Sequence, residues 1–212
     1  MSLTVTSRLS RDRLLVSAGL SAQLRAETRQ EHVAAESAFD LGTHLLDLAA
    51  YRQLLMTLGG FYLPLEAALT RVVGWRGLAH PVDISVHLRG DLLVEDLRRL
   101  GAALHLTTVR GVDPQLLMPD PAARALGALY VVAGSALGGQ VIARQAREAL
   151  GDDVPVAFFS SAGRLHPKHQ WRALQATLDD FGATAGPLRR DQTVQSAAET
   201  FRALTRRLDA RE

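Results

Sequence analysis

The chain of 212 residues contains no cysteine, and Lys168 is the one lysine among its 24 basic residues. The absence of cysteine excludes disulfides, thiolate metal ligands and cysteine nucleophiles. It is also typical of a protein from a reducing compartment, so we expect a cytoplasmic location.

An excess of one charge sign is missing as well, since the 24 basic residues face 22 acidic ones and leave a formal charge of +2. The arginines are scattered from Arg8 to Arg211 and form no stripe interleaved with aromatic residues. Proteins that follow a phosphate backbone usually carry such a stripe. We therefore expect no nucleic-acid partner.

Strand patterns are nearly absent, because β-branched and aromatic residues do not alternate with polar ones over any run bounded by turn residues. The hydrophobic residues, 47% of the chain, recur instead at helical spacing. We predict an all-α fold with one domain over residues 19–212, preceded by a flexible lead-in at residues 1–18. The apolar run at residues 14–16 is too short for the core of a signal peptide.

Helix boundaries follow from capping residues and prolines. Ser21 and Asp47 are suited to cap helix starts, and Pro121 is suited to an early helical position, whereas Pro64 should bend the helix that contains it. Residues 71–88 are predicted to form a connection with a short helical turn. The predicted helices span residues 21–37, 47–69, 90–100, 121–150, 167–181 and 187–208.

One uncharged stretch is long enough for a membrane span, since 19 residues without a charge separate Arg124 from Arg144. The stretch contains several glycines, a serine and a glutamine, which makes it only moderately apolar. A buried central helix explains it better, and we expect no membrane span.

Three glycines, Gly134, Gly138 and Gly139, interrupt this same helix. Each interior glycine costs about 1 kcal/mol relative to alanine, so the three together weaken the helix by about 3 kcal/mol. The usual compensation is a close approach to the backbone, either by another helix or by a flat ligand. An isolated GxxxG pair such as Gly134 and Gly138 favours helix packing.

The first helix carries the second half of a candidate site. His32 lies on one face with Leu24 and Thr28, and Glu36 follows one turn later, where a carboxylate can orient the imidazole and favour metal binding. Arg25, two turns before His32, can meet an anionic group. A histidine alone is more often a structural or surface residue.

Together, LRAETRQEHVAAE in the first helix, YRQLLMTLGGFYLPLE in the second and GSALGGQVIARQAREAL in the fourth resemble the heme oxygenase family, particularly its bacterial, phytochrome-associated branch. The resemblance covers about residues 20–182. Each motif alone is weak, and the specificity comes from their order and separation.

The resemblance implies that His32 is the ligand of the heme iron and that Glu36 supports it from the next turn. Gly134, Gly138 and Gly139 match the glycines that let a helix bend over the other, distal face of the heme. Arg25 and Arg172 match basic positions near the heme propionates, which suits arginine because its planar fork pairs with carboxylates. The resemblance thus implies a heme-binding set of Arg25, His32, Glu36 and Arg172, and a catalytic set of Gly134, Ser135, Gly138, Gly139 and Arg89.

Ser135 is the clearest departure, because many animal-type relatives have an aspartate there that orders water for proton delivery. Other bacterial members resembling this sequence also carry serine, which implies a different water network. Arg89 is a candidate partner for Ser135 on the distal side.

The implied reaction is oxidative cleavage of heme, which is substrate and cofactor at once, to biliverdin with release of carbon monoxide and ferrous iron. Dioxygen is the oxidant, and electrons come from an external reductase or ferredoxin, since the chain has no dinucleotide fingerprint. A bacteriophytochrome that accepts biliverdin is the partner that this branch suggests.

Alternatives remain. A thiaminase-type protein needs a cysteine nucleophile and is excluded. A di-iron oxidase could use the acid and histidine at Asp83 and His87, but the bridging glutamates that it needs are not evident in the sequence. A heme carrier or sensor that does not degrade its ligand remains an alternative, because Ser135 departs from the aspartate of many animal-type relatives. Histidines near loops or helix ends are expected to be exposed or structural, namely His80, His87, His105, His166 and His169.

Overall fold

The structure is a computed structural model that describes residues 19–72, 75, 78, 82–102, 121–164 and 166–210. Within these residues the regular structure is helical and includes no strand, so the all-α prediction is confirmed. The helices are α1 (Leu20–Glu27), α2 (Arg29–Ala38), α3 (Leu41–His44), α4 (Leu48–Thr70), α5 (Gly90–Arg99), α6 (Pro121–Leu150), α7 (Ala157–Ser160), α8 (Pro167–Thr184) and α9 (Pro187–Asp209), with a 3₁₀ helix at Ile84–Val86. The predicted lead-in at residues 1–18, together with His80 and His105, lies outside the described residues.

Helix α6 runs through the centre of the fold and packs along α9, α7 and α8. Its first half is buried without a break from Ala122 to Ala133. At Gly127, an added Cβ would collide with the carbonyl oxygen of Thr193 on α9 and lie 2.9 Å from the amide nitrogen of Ala197. Gly127 therefore permits the close crossing of α6 and α9.

The uncharged segment of α6 is a core helix, as expected. Its 18-residue apolar window is long enough to cross a membrane by composition, but 61% of that window lies inside the protein. Burial among helices accounts for its apolar character without a bilayer.

Helix α4 supplies a large share of the core and starts where the sequence predicts. The carboxylate of Asp47 accepts a hydrogen bond of 2.7 Å from the amide of Ala50 and so caps the helix. Pro64 lies inside α4, which continues through it to Thr70. Tyr51 at the other end is buried, and its hydroxyl donates to the carbonyl of Pro155.

The prediction for the first helix is wrong in two respects. Ser21 is not the cap, because α1 begins at Leu20 after Gly19, which adopts a positive φ of 84°. The amide and hydroxyl of Ser21 donate instead to the carboxylate of Asp179 on α8, at 2.8 and 3.0 Å. The expected single helix is also two helices, since it breaks at Thr28, whose hydroxyl donates to the Leu24 carbonyl.

Short helix α7 follows the break at Pro155 and was not predicted. Buried Asp96 on α5 holds its start, because its two carboxylate oxygens accept the amides of Ala157 and Phe158 at 3.0 and 2.8 Å. Two of the amides left free at a helix start are thus satisfied by a side chain from another helix. This contact ties α7 to α5, and α7 also packs against α6.

Candidate functional site

The second half of α6 has an open face. Among the described residues, a Cβ added at Gly138 would meet nothing within 4 Å, and one at Gly134 would meet only the Trp171 ring at 3.5 and 3.6 Å. Gly139 differs, since its added Cβ would lie 2.5 Å from the carbonyl oxygen of Phe159 on α7. Two of the three predicted glycines therefore border open space, whereas Gly139 is explained by packing against α7.

Contacts one turn before Gly134 join α6 to the first two helices. The Tyr130 side chain is hydrogen-bonded to that of Thr28 and interacts with nearby Arg25, while burial raises the pKa of Tyr130. His32 lies four residues after Thr28, and Gly134 lies four residues after Tyr130. This contact joins the α1–α2 junction, which precedes His32, to the turn of α6 that precedes Gly134.

His32 is accessible and oriented. Its side chain is 53% exposed, and its Nδ1 lies 3.5 Å from the Glu36 carboxylate, which agrees with the expected pairing across one turn. The ring edge meets Phe201 of α9, with the two ring centres 5.4 Å apart. With Nδ1 facing the carboxylate, Nε2 has no partner among the described residues and is the atom available to a metal.

Phe201 was not singled out from the sequence, where it reads as one more apolar residue of the last helix. Its neighbour Arg202 pairs with Glu31 at 2.9 Å, so α9 contacts α2 at His32 and at the residue before it. Nothing in the spacing of the last helix distinguishes Phe201 from its other buried residues.

Arg25 and Arg172 are both exposed, and neither makes a hydrogen bond or ion pair within the described part of the chain. Arg25 is close to Tyr130. Arg172 follows Trp171, whose ring packs on Tyr130 at 5.2 Å and against Gly134. Both cations are thus available to anionic groups, and each adjoins a residue bordering the open face.

Ser135 is a junction between α6 and two other side chains. Its hydroxyl donates to the Val132 carbonyl at 2.7 Å and accepts from Arg89 Nη2 at 2.7 Å and from the Tyr62 hydroxyl at 2.9 Å. A serine hydroxyl has one proton and two lone pairs, so these bonds use its whole capacity. The structure places Arg89, the predicted partner, in direct contact with Ser135. Tyr62 belongs to α4, and the sequence does not distinguish it from the other apolar positions of that helix.

Arg89 is a buried cation, with 2% of its surface exposed. Its guanidinium also donates to the carbonyls of Phe158 and Val132, both at 3.2 Å, and lies 4.7 Å from the centre of the Phe158 ring. Burial lowers the pKa of Arg89, but an arginine remains protonated in proteins. Its Nε is buried and has no hydrogen-bond partner among the described groups.

The remaining histidines that the structure describes do not form a metal centre. Asp83 accepts from the amide and hydroxyl of Ser85, and buried His87 has its pKa lowered to about 4 by desolvation. No group of three acidic or histidine residues within the described ranges could hold an ion. The di-iron alternative thus gains no support there. His166 and His169 are exposed at the start of α8, where His166 Nδ1 accepts from the Lys168 amide.

Solved heme oxygenases share this fold. Heme oxygenase 2 from Chlamydomonas reinhardtii, solved without heme, has a TM-score of 0.76 and 22% identity, covering 91% of this chain and 97% of its own. Heme oxygenase from Leptospira interrogans gives 0.73 and 18%, covering 90% of this chain and 98% of its own. Heme oxygenase-1 from Synechocystis sp. PCC6803, solved in complex with heme, gives 0.69 and 19%, with coverage of 90% and 91%.

No curated protein sequence matches this chain significantly. The sequence model of the heme oxygenase family, by contrast, matches residues 18–209, which is nearly the whole chain. That match and the shared fold lead to one conclusion: the chain belongs to the heme oxygenase family.

Proposed function

We propose that this protein binds heme at the open face of α6 and cleaves it to biliverdin, with release of carbon monoxide and ferrous iron. The observation that carries the proposal is the open face at Gly134 and Gly138, together with an accessible His32 that pairs with Glu36. A space bordered by glycine backbone suits a flat ligand, and an accessible histidine suits a ligand that contains iron.

The residues around the open face fit the chemistry of heme. His32 would hold the iron through Nε2, while Glu36 keeps the ring oriented and makes it more basic. Arg25 and Arg172 would pair with the two propionates, which supply the anionic partners that these arginines lack within the described residues. When bound, heme would supply both the iron that activates dioxygen and the ring that is oxidised.

On the other side of the proposed site, the chain would contribute hydrogen bonds rather than a carboxylate. Ser135 fixes the positions of the Tyr62 hydroxyl and the Arg89 guanidinium. After donating to Ser135, the Tyr62 hydroxyl keeps lone pairs that can accept from water. Tyr62 and Arg89, more than Ser135 itself, are therefore the groups that would order water near the bound heme.

Electrons would come from a separate reductase or ferredoxin, because the sequence carries no dinucleotide fingerprint. A cytoplasmic location fits the lack of cysteine. A bacteriophytochrome as acceptor of biliverdin is supported by the sequence resemblance alone.

A heme carrier or sensor is the second candidate, and one observation favours it. The hydroxyl of Ser135 is fully used by protein groups, so it has no bond left for a water that would deliver protons. A protein of this kind would hold heme through His32 without degrading it.

One experiment separates the two functions. Purified protein is mixed with one equivalent of heme under air, an electron donor and catalase are added, and absorption is followed over time. Loss of the Soret band with growth of broad red absorption supports the oxygenase. A stable heme spectrum supports the carrier or sensor, and absence of heme binding contradicts both.

His32→Ala tests the proposed ligand in the same assay. We expect a displaced or weakened Soret band and loss of turnover, because no other ligand replaces the imidazole. His169→Ala, at an exposed position of α8, is the matched control and should behave as the wild type. An unchanged spectrum in His32→Ala would exclude His32 as the ligand.

A further inference from the structure

The charge next to Ser135 is positive, and its source is Arg89. The carboxylate of Glu66 on α4 interacts electrostatically with Arg89 but, among the described contacts, makes no hydrogen bond or ion pair with its guanidinium. Its two oxygens accept instead the amides of Arg89 and Gly90, at 2.9 and 2.8 Å, and so cap the start of α5. A Cβ added at Gly90 would lie 2.7 Å from the Glu66 carboxylate, so glycine lets this carboxylate reach the two amides without a shift of its side chain.

Glu66 therefore holds the backbone end of Arg89, while the guanidinium at the far end reaches α6. There it is held by neutral acceptors, namely the carbonyls of Val132 and Phe158 and the hydroxyl of Ser135. Carboxylate and guanidinium are thus separated by the length of one arginine side chain. The pair forms a buried dipole whose positive end lies at Ser135.

Burial increases the effect of this dipole. Glu66 and Arg89 are both buried, at 6% and 2% exposure, and charges away from water interact over longer distances than charges at the surface. A charge held by several rigid hydrogen bonds also needs little rearrangement to act on a ligand.

We propose that Arg89 makes the Ser135 side of the heme site selective for anions and that Glu66 is the positioning residue that keeps the guanidinium there. This inference rests on the proposed binding of heme at the open face of α6. The ligands concerned are small anions, such as azide, that bind ferric heme on the side opposite His32. The same field would stabilise negative charge that develops there during oxidation of the ring.

The first test compares an anionic with a neutral ligand of the ferric heme complex. Azide and imidazole are titrated into the wild type, Arg89→Met and Arg190→Met, and their dissociation constants are read from the absorption spectra. Arg190 is the matched control, because it is also a buried arginine but is held by Gln23 and the Gly182 carbonyl, between α1, α8 and α9.

We expect Arg89→Met to weaken azide binding about tenfold and to change imidazole binding less than about twofold, since removal of a nearby positive charge acts on the anion alone. Arg190→Met should change neither. Equal weakening of both ligands by Arg89→Met, or unchanged azide binding, would overturn the anion selectivity.

The second test examines Glu66 in the heme-free protein. With ¹⁵N-labelled arginine, NMR follows the exchange of the Nε protons of Arg89 and Arg190 with solvent, and Arg89→Lys and Arg190→Lys assign the two signals. The Nε of Arg89 is buried, and that of Arg190 donates to Gln23. Both protons should therefore exchange slowly in the wild type.

We expect Glu66→Gln to accelerate exchange at Arg89 at least about tenfold and to leave Arg190 unchanged. Acceleration of both signals would indicate a general loss of stability, and no acceleration at Arg89 would show that Glu66 does not position it. Either result would overturn the role of Glu66.

Because this test needs no heme, it remains decisive if Arg89→Met does not fold. If the wild type binds no heme, the proposed function and the anion selectivity fail together, and the exchange result still decides the role of Glu66.

Discussion

Gly127 and Gly134 lie two turns apart on the same helix, but they differ in how closely other groups approach them. The Cβ position of Gly127 is filled by the backbone of α9, whereas that of Gly134 borders a ring at ordinary contact distance and that of Gly138 borders no described residue. We call the first region the sealed half of α6 (residues 121–133) and the second the open half (residues 134–138). Glycine serves packing in the sealed half and leaves room for a ligand in the open half.

The comparison shows why a glycine motif alone is a weak guide to function. Gly127 and Gly139 meet backbone carbonyls, so they would be needed in a protein with the same fold and no ligand. Gly134 and Gly138 have no such reason within the described structure, although interior glycine costs helix stability. The predictions below test this division, beginning with the largest expected effect.

Gly127→Ala should lower the free energy of unfolding by about 3 kcal/mol, because the added methyl group collides with the Thr193 carbonyl and neither backbone can move freely. Thermal unfolding followed by circular dichroism measures the loss. For a domain of this size the midpoint should fall by about 6–12 °C. A midpoint equal to that of Gly138→Ala would show that the two halves do not differ.

Acid should act on a second contrast, that between buried and exposed histidines. His87 is buried, and desolvation lowers its pKa to about 4. The folded state then binds this proton less readily than the unfolded state, so the contribution of His87 to stability is complete above pH 6.5 and is lost as the pH falls towards 4. The loss should reach up to about 3 kcal/mol.

Urea unfolding of the wild type and of His87→Gln at several pH values isolates this contribution, because the other titrating groups are common to both proteins. The difference in unfolding free energy should shrink as the pH falls below 6.5. His169→Gln, at an exposed position, should show no such trend. A difference for His87→Gln that does not vary with pH would mean that His87 can be protonated in the folded protein.

Ser135→Ala tests the boundary between the halves. The change leaves the buried Tyr62 hydroxyl without its acceptor and removes one acceptor of Arg89, so we expect a loss of about 2 kcal/mol. Tyr62→Phe removes the orphaned donor, and the double variant should be less destabilised than the sum of the single variants. Additive losses would contradict the junction at Ser135.

Gly138→Ala should have the smallest effect on stability and the opposite sign, a gain of about 0.5–1 kcal/mol, because alanine favours the helix and its methyl group meets nothing. Heme binding should nevertheless weaken, since the methyl group enters the open face. Heme titration and thermal unfolding of one preparation measure both effects. A stabilised variant with unchanged heme affinity would place the ligand elsewhere.

The sequence predicts long helices well where local signals decide. Asp47 and the prolines at 121, 167 and 187 mark helix starts that the structure confirms. Thr28 fits the apolar periodicity of the first helix, so the sequence pattern does not predict the helix break at this residue. At this break the Thr28 hydroxyl donates to the Leu24 carbonyl and interacts with Tyr130, which is far away in sequence. The partner of Ser21 is similarly remote, 158 residues along the chain.

The candidate site also has a part that the sequence predicts and a part that it does not. The pair His32 and Glu36 follows from spacing on one helix, and its geometry agrees with the expectation. Glu66 and Tyr62 are one turn apart on α4 and face the core, but their acceptors and donors come from other helices. A charged residue at a core position of an apolar helix was the available signal for Glu66. Its partner could not be read from the sequence.

Lys168, the sole lysine, also gives the protein a chemical handle. It is exposed in the first turn of α8, three residues before the Trp171 ring that packs against Gly134. An amine-reactive dye has one side-chain target, and the α-amino group can be blocked first at lower pH because it is less basic than lysine. A fluorophore placed there would lie next to the open half of α6, and heme would quench it on arrival. The single lysine thus allows the proposed binding of heme to be followed by fluorescence.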